Sequence, residues 1–406
     1  MSDEARFDVV VAGLGPAGAA TALRLARAGL RVAAVDRAAF PREKICSEYM
    51  SPEGVRHLAA IGVLEAVERH GGHPVRGTTV HAPRGARLTG LFARAGHAPF
   101  RDTGLSVARR LLDQALVEAA GAAGVVILER TTVVGVLRNG DAVTGLVVRS
   151  GDALRELKAR LTVGADGLRS VVARGLGPRR IGPLRRYALV AHAAGVPALG
   201  ETVEMHVTAD GYVGLNPLGG GVTNVAVVVP EARIAAAKGA AERFFLAELE
   251  RIPAVRGRVR REALVRAVMV TGPFDVRSRR VTAPGALLVG DAADFFDPFT
   301  GEGICAALRG AELAAAAAVA ALARPGGRPV SDAALRPYVS ARRRAFFGKW
   351  AVERAIGYAM LAPALFDRFV ERLDRRGLAH TLIGVTGDFV PPSAVLNPVF
   401  LSQVVF

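Results

Sequence analysis

A chain of 406 residues, 51% hydrophobic and 22% charged, has the composition of an ordinary globular protein with room for two or three packed units. Its formal net charge of +16 is almost all arginine, scattered with few aromatics among it, which argues against a nucleic-acid surface and leaves attraction to anionic substrates or a membrane face open. Two cysteines, Cys46 and Cys305, in no CxxC or metal-ligand spacing, argue against a disulfide scaffold and a metal centre and fit a cytoplasmic location. The opening MSDEARFD lacks the basic start and apolar core of a signal peptide, and the alanine-rich run Ala311 to Ala323 is too short to span a bilayer.

Phe7 to Ala12 reads as a buried strand that runs into Gly13-Leu14-Gly15-Pro16-Ala17-Gly18 and then a helical stretch from Ala19 to Ala28. A second strand, Arg31 to Val35, ends at Asp36 with Arg37 beside it. This is GxGxxG in a strand–turn–helix context, with an acid placed for a ribose hydroxyl. Gly13 permits the turn, Gly15 lets a pyrophosphate approach the backbone, and Gly18 lets helix and strand pack closely. Gly13, Gly15, Pro16, Ala17, Gly18, Asp36 and Arg37 are therefore dinucleotide-binding candidates.

Further along, Thr78 to Ala82 reads as a strand, and Asp102 to Gly124 as one helix that carries Arg109. Short strands follow around Val125–Leu128, Val133–Leu137 and Ala142–Val148, with Asn139-Gly140 as a hairpin signal. Asp166-Gly167 is a turn pair. From Arg179 to about Val270 the texture alternates: Val203, Met205 and Val207 face one way, Glu204, His206 and Thr208 the other, and Tyr212, Gly214 and Asn216 share a face. That is an antiparallel sheet, to which Thr78–Ala82 also belongs. His81, His192 and His206 read as structural or surface residues.

Strand Ala286 to Val289 ends at Gly290-Asp291, and Gly301 and Gly303 open an alanine-rich helix from Cys305 to Ala323. A helix N-terminus beside a strand-end carboxylate points to a polar or anionic ligand. From Ser331 the tail is helical in texture. Val352, Ile356, Ala359 and Met360 share a face, as do Phe366, Phe369, Val370 and Leu373, and both faces read as packed on the core rather than on a membrane. Asp388–Pro392 and Val399–Phe406 read as a wrap.

The N-terminal glycines, Val163–Ser170 and Gly290–Ile304 together resemble the three sequence marks of the FAD-dependent monooxygenase superfamily. "FPREKICSEYMSP" (Phe40 to Pro52) and the TGEGI ending resemble its geranylgeranyl-reductase-related branch. The resemblance covers most of residues 7 to 325. It implies an α/β (α+β) fold: a Rossmann-like FAD-binding domain in three parts (1–75, 101–178, 271–328), an antiparallel-sheet substrate domain (76–100, 179–270) and a helical C-terminal region (329–406). It also implies Asp36 at the adenosine ribose, Arg109 and Asp166 near the cofactor, and Gly290 and Asp291 at the ribitol chain. Pro298, Gly301, Gly303 and Ile304 would lie at the flavin's pyrimidine edge, where a helix N-terminus stabilises negative charge on reduced flavin.

No second GxGxxG occurs, so NADPH or NADH is expected to visit the same flavin as a transient reductant. The prenyl reductases of this branch carry a tyrosine and a tryptophan near a Phe-Pro pair. Here Tyr212 and Pro217 match, but Gly214 replaces the tryptophan and Asn216 the phenylalanine. That departure implies a wider, more polar pocket. The expected activity is therefore NAD(P)H-driven monooxygenation, with O₂, of an apolar or aromatic secondary metabolite. Reduction of a prenyl or polyketide double bond is the alternative, and a flavoprotein that serves only as a binding module is a third class. Cys46, Glu48 and Tyr212 are the catalytic candidates. The expected partner is a small apolar or aromatic molecule, with peripheral membrane contact left open.

Overall fold

The structure, a computed structural model, describes residues 7–323 and 328–405; the opening MSDEAR and the last residue of the C-terminal wrap, Phe406, lie outside the described residues. The apolar run Phe7–Ala12 is a central strand of an eight-stranded sheet. Across that sheet the order is Thr282–Ala283, Ala286–Leu288, Ala153–Gly164, Phe7–Ala12, Val32–Val35, Val126–Leu128. The last five pair in parallel. Val9, Val10, Val11 and Ala12 are fully buried, as a strand covered on both faces requires. The hairpin Thr131–Asn139 and Ala142–Ser150 joins through Ala153–Gly164.

Helices Pro16–Arg27, Arg109–Ala122 and Gly303–Leu322 share one core on this sheet. The last has 20 residues and is long and apolar enough to cross a membrane by length and composition. It packs against Pro16–Arg27, Pro52–Ala60 and Asp332–Ala359. Counting only the alanine run misses its first two turns, which begin at Gly303.

The second layer is a seven-stranded sheet in the order Leu264–Thr271, Arg186–Ala194, Val222–Pro230, Tyr212–Gly219, Val203–Val207, Gly77–His81, Arg87–Leu91. It is antiparallel except where Val203–Val207 runs parallel to Gly77–His81. One face packs on the C-terminal helices, where Val352, Ile356, Met360, Phe366, Val370 and Leu373 are buried as their spacing predicts. The other face packs on helix Ala241–Glu250 through Phe245 and Leu249.

One element differs from its sequence reading. The helix expected over Asp102–Gly124 begins only at Arg109, because Gly104–Ser106 is a strand. It pairs with Tyr49–Met50 and with His73–Val75, and a side chain at Gly104 would stand 2.5 Å from the Met50 carbonyl oxygen. The Asn139-Gly140 turn, the Thr78–Ala82 strand and the helix after Gly303 form where expected.

Candidate active site

A cavity of about 760 Å³ lies between the carboxyl ends of the parallel strands and the inner face of the antiparallel sheet. That is the size of a cofactor or large ligand site. At its first end the glycine turn leads into a helix whose N-cap, Gly15, has no side-chain cap and whose first residue is Pro16. Gly13, Gly15, Pro16 and Ala17 line the cavity, whereas Gly18 lies behind them. Gly13 has a φ of +91°, and a Cβ there would stand 2.5 Å from the Ala165 carbonyl oxygen. A Cβ on Gly18 would stand 1.9 Å from the Gly13 carbonyl oxygen, so only glycine allows this helix to start this close to the strand.

Two guanidinium groups face bare Gly15. A Cβ there would lie 3.5 Å from Arg109 Nη2 and 3.7 Å from Arg42 Nη2. Arg109 donates to both carboxylate oxygens of Asp113, at 2.9 and 2.8 Å, and Arg42 Nη1 lies 2.9 Å from the same carboxylate. Burial opposes the Arg109 charge, but Asp113 outweighs it and its pKa rises. Asp113 was missed in the sequence, although an arginine and an aspartate four residues apart on one helix is a visible pairing signal.

Asp36 lines the cavity and holds the turn, accepting the Leu14 N–H at 2.9 Å and the Ala38 N–H at 3.0 Å; Arg37 lines the same end. Asp166 caps the helix Val171–Leu176, accepting from the Ser170 hydroxyl and the Val171 and Val172 N–H groups, while its residue still borders the cavity. Gly290 and Asp291 stand at the strand end, and burial raises the Asp291 pKa against the opposing charges of Lys44 and Arg109. Pro298, Gly301, Gly303 and Ile304 complete this wall.

The catalytic candidates separate. Cys46 lines the cavity beside the Arg109 guanidinium. Glu48 does not line it, and is withdrawn as a catalytic candidate. Its φ of +57° turns the side chain inward, where it accepts from the Arg109 N–H at 2.8 Å, His192 at 2.5 Å and Asn224 at 2.7 Å. Burial raises its pKa, but these donors prevail and the net shift is downward, so Glu48 is a fixed anion that ties the Cys46 loop to the sheet.

Tyr212 lines the cavity, but its hydroxyl donates to Asp297 at 2.7 Å, and Asp297 in turn pairs with Arg186 at 3.0 Å. Burial and that carboxylate push the phenol well above its usual range, so Tyr212 supplies a ring wall rather than a mobile proton. Gly214 and Asn216 face the cavity as alternation predicts. The expected gain in polarity at Asn216 is absent, because its amide is spent on Ser106 at 2.6 Å and on the Ser47 carbonyl at 2.8 Å. His81 and His206 stack with centroids 4.4 Å apart and, with Glu204, bring ligand-type atoms within 4.8 Å on the opposite face of the sheet. Arg258 already pairs with that carboxylate at 2.8 Å.

A second, apolar hollow of about 50 Å³ adjoins the cavity and shares Tyr49, Thr78, Met205, Phe299 and Thr300 with it. Its far walls come from the C-terminal helices, through Ile356, Phe366, Phe369 and Val370, with Leu382 and Ile383 beside them. In the sequence, Phe366, Phe369 and Val370 read only as a face packed on the core.

The FAD binding domain family matches residues 6–346. The chain belongs to that family. It is 30% identical to digeranylgeranylglycerophospholipid reductase 2 of Methanothermobacter thermautotrophicus, over 91% of each chain. It is 31% identical to menaquinone reductase of Mycolicibacterium smegmatis, over 76% of each. Among solved structures, a flavoprotein/dehydrogenase from Cytophaga hutchinsonii superposes with a TM-score of 0.83 at 20% identity, covering 98% of this chain and 96% of that one. The protein is thus an FAD-dependent oxidoreductase of the geranylgeranyl-reductase-related branch, with a Rossmann-like FAD-binding fold.

The cavity fits FAD on its own chemistry. A helix N-terminus with uncapped N–H groups and two guanidinium groups converge on the one bare glycine of the turn, which suits a pyrophosphate. Asp291, which no protein donor occupies among the described residues, borders the same space and suits a polyol hydroxyl.

Proposed function

We propose that this flavoprotein reduces a carbon–carbon double bond in a prenyl chain carried by a lipid-like substrate. The observation that carries the reading is the apolar hollow that shares five walls with the FAD cavity and is closed by Phe366, Phe369 and Val370. A hollow of about 50 Å³ has room for a methyl branch or two, which a prenyl chain lying in the adjoining cavity would bury there at about 25 cal/mol per Å². The names of the relatives favour reduction over the monooxygenation expected from the sequence. The polar pocket that argued for oxygenation is also weakened, since the Asn216 amide is already satisfied.

In this reading the Gly13–Gly18 turn, Arg42 and Arg109 hold the pyrophosphate, Asp36 the adenosine ribose, Asp291 the ribitol chain, and the Gly301–Ile304 turn the flavin's pyrimidine edge. Bound FAD supplies two-electron hydride chemistry, recharged by NADPH or NADH in transit. The chain orients the substrate, excludes water and manages protons.

The test is anaerobic turnover of geranylgeraniol in detergent micelles with dithionite as reductant. The expected product carries two extra hydrogens for each bond reduced. A product that forms only with O₂ and carries label from ¹⁸O₂ overturns reduction and restores monooxygenation.

A further inference from the structure

Helix Asp332–Ala359 has two sides, and the site uses only one of them. The inner side places Arg342, Phe346, Trp350 and Glu353 on the cavity wall and Ile356 on the hollow. Lys349 is buried on that side, where its charge faces Glu302 of the cavity wall. The outer side follows the helical repeat from Val339 through Arg343, Phe347, Ala351, Ala355 and Tyr358. It reaches Leu361 at the corner and Leu365 in the first turn of helix Pro363–Arg375.

That outer side is apolar and cationic at once. Phe347, Leu361 and Leu365 are 61%, 57% and 59% exposed, and Val339 and Tyr358 are exposed with them. Single exposed apolar side chains are ordinary, but a row of them on one helix face marks a surface that something covers. Arg336, Arg343, Arg344 and Arg368 are exposed in the same stretch, and the Arg343 guanidinium lies over the Phe347 ring, 6.0 Å from its centroid. The acids between Ala333 and Val370 are Glu353 and Asp367. Glu353 borders the cavity, and Asp367 is buried and accepts the Arg84 N–H at 2.9 Å, so neither carboxylate is exposed among these arginines.

We propose that this face docks the flavoprotein on an anionic lipid bilayer. Charge complementarity chooses the occupant. A second copy of the chain would set arginine against arginine across a symmetric contact, in a protein whose net charge is already +16. An anionic bilayer instead offers phosphates to the guanidinium groups and an acyl boundary to Phe347, Leu361 and Leu365, which is how an interfacial helix binds. The docking helix is also a wall of the substrate space, so its two sides meet the bilayer and the cavity. The proposal stands whether the flavin reduces or oxygenates its substrate.

The experiment is flotation of the FAD-loaded full-length protein with two kinds of vesicle, pure phosphatidylcholine and equimolar phosphatidylcholine–phosphatidylglycerol. Binding to the anionic vesicles should be at least about tenfold tighter than to the neutral ones and should weaken as salt is added. Arg343→Gln and Arg344→Gln should each weaken it about fivefold. The double variant Phe347→Ser/Leu361→Ser should weaken it by about tenfold or more, and the loss should persist at high salt. None of these four side chains lines the cavity or the hollow, so flavin absorbance should stay at the wild-type level in every variant. Equal binding to both vesicles, binding to neither, or variants that float as the wild type does would each overturn the proposal. So would a lipid-free dimer, seen by sedimentation velocity, that Phe347→Ser/Leu361→Ser dissociates, because the face would then join two copies of the chain. No turnover is measured, so these outcomes leave the reductase reading to its own test.

Discussion

Gly15→Ala and Gly18→Ala should each yield a chain that no longer holds FAD, for opposite reasons. At Gly15 the backbone is ordinary, with φ −73° and ψ −175°, and a Cβ meets only the tips of two arginines at 3.5 and 3.7 Å. The methyl therefore folds without strain and stands where a phosphate must touch the backbone. The apoprotein should keep its melting temperature and lose roughly a hundredfold in FAD affinity, about 2.7 kcal/mol. At Gly18 the methyl would stand 1.9 Å from the Gly13 carbonyl and 3.2 Å from Ala165 Cβ, so the helix has to retreat from two strands. That overpacking costs about 1–3 kcal/mol of stability before any cofactor is added, and the turn that cradles the phosphate moves with it. Calorimetry of the two apoproteins with a fluorescence titration of FAD separates the cases. Equal loss of stability in both would show that Gly15 is a folding position and not a phosphate seat.

The difference between these two glycines was legible in the sequence, because strand, turn and helix are contiguous and the period of each is local. The same holds for the alternation that put Tyr212, Gly214 and Asn216 on one face, which the lining of the cavity repeats. What the sequence could not carry is direction and distant company. Glu48 sits in a motif-bearing loop, yet its left-handed backbone aims it at His192 and Asn224 from another sheet. Gly104–Ser106 has helical surroundings in sequence, and becomes a strand only because Tyr49–Met50 and His73–Val75 offer it edges. Lys349 and Glu302 come from a tail helix and from a turn that follows the last of the five parallel strands, so no spacing rule joins them. The hollow beside them is likewise made by helices whose apolar faces read simply as core.

Gly214→Trp bears on the substrate side in the same way that Gly15→Ala bears on the cofactor side. A glycine within a strand often marks a bulge, but register here runs without interruption from Tyr212↔Val228 through Gly214↔Ala226 to Pro217↔Thr223. Its φ is not among the left-handed ones, so the backbone accepts a side chain. The first atom of that side chain would meet Met205 Sδ at 3.3 Å, and the rest extends into the cavity between Tyr212 and Asn216. Met205 is flexible and can yield a few tenths of an ångström. The indole then occupies space next to the shared wall through which the hollow is reached. FAD binding should stay within about threefold of wild type, because the residues assigned to the cofactor lie on other strands and turns. Turnover of geranylgeraniol should fall by at least about tenfold, chiefly through a higher KM, since an indole that displaces bound apolar groups removes ground-state and transition-state binding together. Loss of FAD along with turnover would make Gly214 a folding position. Turnover with an unchanged KM would place the prenyl chain away from this strand and leave the hollow without its entrance.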